Sequence, residues 1–204
     1  MSRQVLILYA HPSPGRSHAN ARLAALARKM DGVTLVDLYA AYPDYQIDVA
    51  AEQARLNSAD VVMFLCPFYW YSTPSILKEW QDLVLEYGYA YGKGGTALAG
   101  KTFLAAITAG GSEHAYSEDG HNRFEIRELL RPLEATANLC GMTYLSPLVL
   151  FASLTAEREG RLAEHEALFS RALDGLIDGT IDGGGGSSTA PTLNETLAGA
   201  EVSQ

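Results

Sequence analysis

The feature that most constrains this chain is the alternation of short, unbroken apolar runs with amphipathic stretches. Val5-Leu6-Ile7-Leu8-Tyr9 is apolar without interruption, the mark of a strand covered on both faces. Leu23, Leu26, Ala27 and Met30 follow helical spacing, so residues 17–30 read as a helix with Ser17 as N-cap and Gly32 as stop. Residues 33–38 and 61–65 read as the second and third strands, with a connection between them. A helix over 76–86 follows, then a fourth strand over 102–108. The pattern continues with a helix over 124–139 and a strand over 144–151, where Pro147 marks an edge position. A last helix is capped by Thr155. Repeated strand–helix units imply a parallel sheet with helices on both faces. Five strands fit the α/β flavodoxin-like order better than the six-stranded dinucleotide fold.

Residues 182–204 break this pattern. Four consecutive glycines and Ser-Ser-Thr-Ala-Pro read as a flexible tail that also holds Asp182, Glu195 and Glu201. The expected organisation is one domain over 1–181 followed by that tail, with no internal repeat. The formal charge of the 204 residues is −9, from 24 acidic and 15 basic side chains. Such a balance is a poor footprint for nucleic acid, which needs clustered Lys and Arg, and none is expected as a partner. Cys66 and Cys140 sit in apolar contexts and read as buried free thiols; no zinc pattern exists and no metal is expected. No apolar run approaches the ~20 residues of a membrane span, and the first residues lack a signal-peptide pattern. The expected location is the cytoplasm.

Ligands of open parallel sheets bind beyond the carboxyl ends of the strands, so three loops carry the functional reading. After strand one, residues 10–20 hold His11, Ser13, Arg16, Ser17, His18 and Asn20 and enter a helix N-terminus, a place suited to an anion such as a phosphate. After strand three, Phe68-Tyr69-Trp70-Tyr71 follows Pro67. One core cannot absorb four consecutive loop aromatics, and their faces can wall a flat conjugated ring. After strand four, Thr108-Ala109-Gly110-Gly111 lets backbone N–H groups approach a ligand edge, with Tyr116 and His121 beyond it as donors to a substrate oxygen. A phosphate grip, an aromatic wall and a donor edge suit a flavin mononucleotide moiety better than a sugar, a metal or a peptide. Residues 95–102, GTALAGKT, match the nucleotide-binding pattern G-x-x-x-x-G-K-[ST], but that motif follows a strand and opens a helix. Here it precedes a strand, so an NTPase is rejected.

The stretches LYAHPSPGRSHAN, PFYWYSTPSILKEW, YGYAYGKGGTALAGK, TAGGSEHAYSEDGHNRF and LRPLEATANLCGMTYL spread over most of residues 4–150. In them the chain resembles the flavin-dependent NAD(P)H:quinone oxidoreductases of the DT-diaphorase type, and within these the cytoplasmic ancillary subunits of the glutathione-gated potassium efflux (Kef) system. The resemblance implies a flavodoxin-like homodimer with active sites at the subunit interface. His11 and Ser17, His18, Ala19 and Asn20 would hold the flavin phosphate. Pro67, Phe68, Tyr69 and Trp70 would border the ring, and Thr108, Ala109, Gly110 and Gly111 would meet its pyrimidine edge. Tyr116 and His121 match the pair that assists hydride transfer, and residues 87–91 would reach the partner subunit. The family often has Thr-Thr-Gly-Gly where this chain has Thr108-Ala109-Gly110-Gly111, and in DT-diaphorases the histidine lies one residue further from the tyrosine. The implied activity is two-electron, ping-pong transfer of hydride from NADH or NADPH, through FMN or FAD, to a quinone or similar electrophile. The alternative is a non-catalytic subunit that binds and activates the cytoplasmic domain of a potassium efflux transporter, at the inner membrane's cytoplasmic face. One-electron carriage, as in flavodoxin, fits less well because the aromatic wall and the Tyr/His pair leave room for a second substrate.

Overall fold

The computed structural model describes residues 2–13, 15, 18–182 and 190–199. Its centre is a parallel sheet of β1 (Val5–Tyr9), β2 (Val33–Asp37), β3 (Val61–Pro67), β4 (Thr102–Thr108), β5 (Thr143–Tyr144) and β6 (Leu148–Leu150). The order is β2-β1-β3-β4-β5, and β6 also pairs with β4, so β5 and β6 share the outermost position. The expected fifth strand is thus two segments on the edge, interrupted at Ser146-Pro147, where proline has no N–H to offer the ladder.

Every residue of β1, β3 and β4 is buried, which is why these strands read as continuous apolar runs. Their side chains alternate between two cores. Val5, Ile7, Tyr9, Met63 and Leu104 face α1 (Ala19–Ala27) and α7 (Arg161–Asp178), packing with Leu23, Phe169 and Leu176. Leu6, Leu8, Val62, Phe64 and Phe103 face the opposite layer: α2 (Leu38–Ala41), α3 (Val49–Ser58), α4 (Ser75–Val84), α5 (Ile126–Leu129) and α6 (Arg131–Leu139). Trp80 of α4 lies edge-on to Phe64 with ring centroids 5.9 Å apart. Both cysteines are free and buried.

Several elements differ from the sequence expectation, each for a physical reason. Residues 49–58 form α3 instead of an unstructured connection, with Asp48 capping the Ala51 N–H at 3.0 Å. Only Glu52 and Leu56 of α3 are buried, so the helix lacks an apolar stripe. Buried Glu52 accepts hydrogen bonds from Tyr42 Oη (2.6 Å), Trp80 Nε1 (2.9 Å) and Arg55. The helix expected over 124–139 is broken at Leu130, because Pro132 cannot donate to the preceding turn. The helix expected to be capped by Thr155 starts instead at Arg161, after Gly160 at φ 79°. Thr155 instead accepts a bond from Arg161, whose guanidinium also donates to the carbonyls of Phe151 and Ala152 and folds residues 151–160 into turns. His18 occupies the N-cap of α1 without a side-chain cap bond, and Ser17 lies outside the described residues.

The segment expected to be a free tail includes α8 (Leu193–Gly199), which packs on β6 and α7 with Leu193 buried. An apolar side chain and an amide that matches the bare sheet edge give residues 190–199 a docked position. Residues 183–189 and 200–204 lie outside the described residues.

Candidate active site

The chain passes from β1 to the edge strand β2 and returns across β1 to β3, so the strand order reverses between β1 and β3. Crevices outside the strand carboxyl ends at such a reversal are the usual ligand site of this architecture. Here the loops after β1, β3 and β4 enclose a cleft of about 430 Å³, within the ~300–1,000 Å³ typical of small-molecule sites. Its wall contains His11, His18, Ala19, Asn20, Pro67, Phe68, Tyr69, Trp70, Thr108 and Gly110. Three loops separated in sequence by up to about ninety residues thus converge.

His11 is buried, and its Nδ1 accepts the Ser13 N–H at 3.1 Å. Nε2 is left as the ring donor of the neutral form. Burial pushes the imidazole pKa below its ordinary value, so neutral is the form at pH 7. Its ring lies edge-on to Tyr69 at 6.2 Å.

Asn20 and Thr108 join the floor of the cleft. Asn20 Nδ2 donates to Thr108 Oγ1 at 2.7 Å, while Asn20 Oδ1 is buried without a hydrogen-bond partner. The Thr108 hydroxyl keeps its own proton for a further acceptor.

The aromatic loop divides as four consecutive loop residues must. Phe68 is buried, whereas Trp70 is 92% exposed. Tyr69 and Ser72 exchange both backbone hydrogen bonds at 3.0 Å, and the two residues between them, Trp70 and Tyr71, have φ of 48° and 61°. This is a primed hairpin turn, a conformation favouring glycine or asparagine. Two aromatics in it cost of order 1–3 kcal/mol each, the kind of strain found at ligand sites.

In the loop after β4, both backbone groups of Ala109 are engaged, its N–H by Leu150 O (2.9 Å) and its C=O by Ser153 N (3.0 Å). Ala109 is therefore a buried anchor and does not line the cleft. Gly110 does line it, and a Cβ built there meets nothing within 4 Å, so the missing side chain leaves space on the cleft side. Gly111 lies outside the wall, where a Cβ would come within 3.1 Å of the Tyr116 ring.

Tyr116 and His121 are not part of the cleft wall in this chain. The Tyr116 ring packs behind Phe68 (6.1 Å) and Phe151 (5.8 Å), and burial raises its hydroxyl pKa, keeping the proton in place. His121 is exposed, with no hydrogen bond among the described residues. Its neighbour Asn122 accepts from Tyr71 Oη at 3.1 Å, tying this loop to the aromatic turn. Gly120 is required beside it, since a Cβ would collide with the His114 carbonyl.

A fourth loop, after β6, adds Ser153, Leu154 and Glu157 to the wall, and the first turn of α7 adds Leu162. The sequence pattern places Ser153 and Leu154 between the fifth strand and a helix capped by Thr155, and the carboxyl-end rule applied to that strand points to them. Among the described residues the wall has one carboxylate, Glu157, and no Lys or Arg. Arg16 lies outside the described residues, so anion attraction rests here on the first turn of α1 and the His11 donor. An orphaned buried acceptor, a side-chain-free face at Gly110, exposed aromatic faces and a helix N-terminus together fit a flat, polar-edged ring with an anionic arm.

The sheet order and the cleft at its reversal define a flavodoxin-like protein. A family model described as the flavodoxin-like fold matches residues 3–173, and the chain belongs to that family. It is 42% identical over 170 residues, 83% of this chain and 96% of the other, to the glutathione-regulated potassium-efflux system ancillary protein KefF of Enterobacter sp. strain 638. It is 36% identical to general stress protein 14 of Treponema denticola, solved in complex with FMN, with a TM-score of 0.80 over 85% of this chain and 99% of that one. An NADPH-quinone reductase of P. pentosaceus is 30% identical, with a TM-score of 0.76 over 83% and 97%.

Proposed function

We propose that this protein is a flavin-dependent NAD(P)H:quinone oxidoreductase. The observation that carries the reading is the cleft itself. It joins His11, the first turn of α1, Asn20, the Tyr69-Trp70 wall and Gly110 at the reversal of the sheet. The likeness to a quinone reductase and to an FMN-bound protein supports it. A bound flavin, FMN or FAD, supplies the capacity to take hydride from NADH or NADPH and pass it on.

This chain's residues supply position and polarity. His11 Nε2–H and the first-turn N–H groups of α1, aided by Ser17 and His18, hold the phosphate against the helix dipole. Asn20 Oδ1 accepts from the bound cofactor, and the Thr108 hydroxyl donates. The Gly110 N–H meets the polar edge of the ring, where fixed donors stabilise negative charge. Tyr69 and Trp70 cover the ring and exclude water. Tyr116, with its proton held by burial, and His121 lie outside the cleft wall, on a loop that Asn122 ties to the aromatic turn, and would donate to the oxyanion of an acceptor that reaches past the ring. Exposed Trp70, Tyr71 and Tyr87 lie where apolar area remains uncovered, which supports a homodimer with its sites at the seam.

Initial rates of NAD(P)H oxidation by a quinone, with the flavin-loaded protein, test the reading. Parallel double-reciprocal lines are expected as either substrate is varied. Converging lines contradict the shared cleft, and an absence of turnover contradicts the activity.

The identity with KefF favours a second role as the ancillary partner of a glutathione-gated potassium transporter. In that role it would dock on a cytoplasmic domain of the transporter; among the described residues no helix is long and apolar enough to cross a membrane. Potassium efflux from vesicles carrying the transporter, with and without this protein, tests it; unchanged efflux removes the role.

A further inference from the structure

We propose that residues 190–199 are a positioning strap, which covers the open edge of β6 and through it fixes the Ala109–Gly111 loop at the cofactor edge of the cleft. The inference rests on the flavin reading above for its functional consequence but not for its mechanical one.

β6 pairs with β4 on one side only, so its other side would present bare backbone groups. Asn194 closes that side. Its Oδ1 accepts the Val149 N–H at 2.9 Å and its Nδ2 donates to the Val149 carbonyl at 2.8 Å, so one side chain replaces a missing strand. The strap is held at two further points. Leu193 N donates to Pro147 O at 2.8 Å, and its side chain is buried in the core that includes Leu145, Leu148 and Phe169. The Ala190 carbonyl accepts from Ser146 Oγ at 2.8 Å and from Arg127 Nη1 at 3.1 Å.

The residues that follow Val149 hold the site. Leu150 O accepts the Ala109 N–H at 2.9 Å. Ala152 N donates to Gly111 O at 2.7 Å and Ser153 N to Ala109 O at 3.0 Å. These three bonds clamp the loop on either side of Gly110. Val149 is therefore bonded to the strap one residue before the clamp starts. A second contact runs in parallel, for Pro191, Thr192 and Glu195 wall a pocket of about 180 Å³ together with Tyr116 and Phe151. The strap lies beyond residue 173, where the family match ends. A 170-residue alignment already accounts for 96% of the KefF relative.

The test is residue-resolved amide hydrogen exchange on flavin-free protein, comparing the full chain with Asn194→Leu and with a chain ending at residue 189. Expected is exchange at least tenfold faster at Val149, Ala109, Ala152 and Ser153 in both variants, with β1 and β3 unchanged. FMN dissociation constants should rise about tenfold in the same variants. If only Val149 exchanges faster, the strap is an edge cover and the proposal fails. If the shortened chain loosens throughout, Asn194→Leu decides: exchange within twofold of the full chain at Ala109, Ala152 and Ser153 overturns the proposal. Because exchange is read without flavin, failure of the unmodified chain to bind FMN would fall on the proposed function and leave the strap's result standing.

Discussion

Asn20→Ala isolates one atom of the proposed cofactor site. Among the described residues the Asn20 side chain donates from Nδ2 to Thr108 Oγ1 at 2.7 Å and leaves a buried Oδ1 unpaired. Losing the bond costs about 1 kcal/mol, whereas an orphaned buried acceptor costs about 1–3 kcal/mol. Deleting the side chain removes both, so the flavin-free protein should be unchanged or more stable by up to about 2 kcal/mol. Affinity should behave differently. If a ligand donor satisfies Oδ1, binding regains about 1–3 kcal/mol, which at about 1.4 kcal/mol per decade is roughly 5- to 150-fold in Kd. The assay is quenching of FMN fluorescence on titration with stripped protein, paired with urea unfolding in the absence of flavin. The expected signature is a Kd at least fivefold weaker with an unfolding midpoint that is unchanged or raised. A Kd within twofold of the unmodified protein, or a stability loss above about 2 kcal/mol, would show that Asn20 serves only the fold.

Trp70→Gly relieves a left-handed backbone at a residue that is 92% exposed, so stability should hold or rise while flavin and acceptor affinities fall; weakened folding with unchanged affinity would refute the wall. His165 is buried and its pKa is lowered to about 4 from 6.5. The unfolded chain therefore binds more protons between those values, and stability is full above pH 6.5 and falls as pH drops toward 4, by about 3 kcal/mol from this residue. Urea unfolding against pH should lose that component in His165→Gln; equal acid limbs in both proteins would contradict it. Burial pushes the Cys66 thiol up to about 12, so in native protein at pH 8 a thiol reagent should label it at least a hundredfold more slowly than in unfolded protein. Rapid labelling would place it outside the core.

The parts of the fold legible in the sequence were those whose burial is apolar. β1, β3 and β4 are covered on both faces, and the β4 bounds expected from TFLAAIT are those of the strand. The rejected nucleotide motif lies in turns before β4, where Lys101 bonds the Ala59 carbonyl. Helix α3 was hidden because its inward face carries a glutamate, whose partners Tyr42 and Trp80 lie 10 and 28 positions away on other elements. The same limit applies at the site. The three loops converge as their chemistry and the carboxyl-end rule indicated, but a pattern of letters does not record which backbone groups are already engaged. Ala109 looked like a donor and is an anchor. Tyr116 and His121 are adjacent to the cleft in sequence, yet neither lines it: the Tyr116 ring packs against Phe68 and Phe151, and His121 is exposed. The docking of residues 190–199 depends on Asn194 meeting Val149 across 45 positions, behind a glycine run that reads as a linker.

The central claim is that the cleft beyond β1, β3 and β4 binds a flavin. Titration of stripped protein with FMN, followed by gel filtration and the visible absorbance spectrum of the protein peak, tests it most directly. Flavin absorbance should travel with the protein at one per chain, and be lost in Asn20→Ala and Trp70→Gly in proportion to their weakened affinity. A protein peak free of flavin absorbance at saturating FMN and at saturating FAD would contradict it.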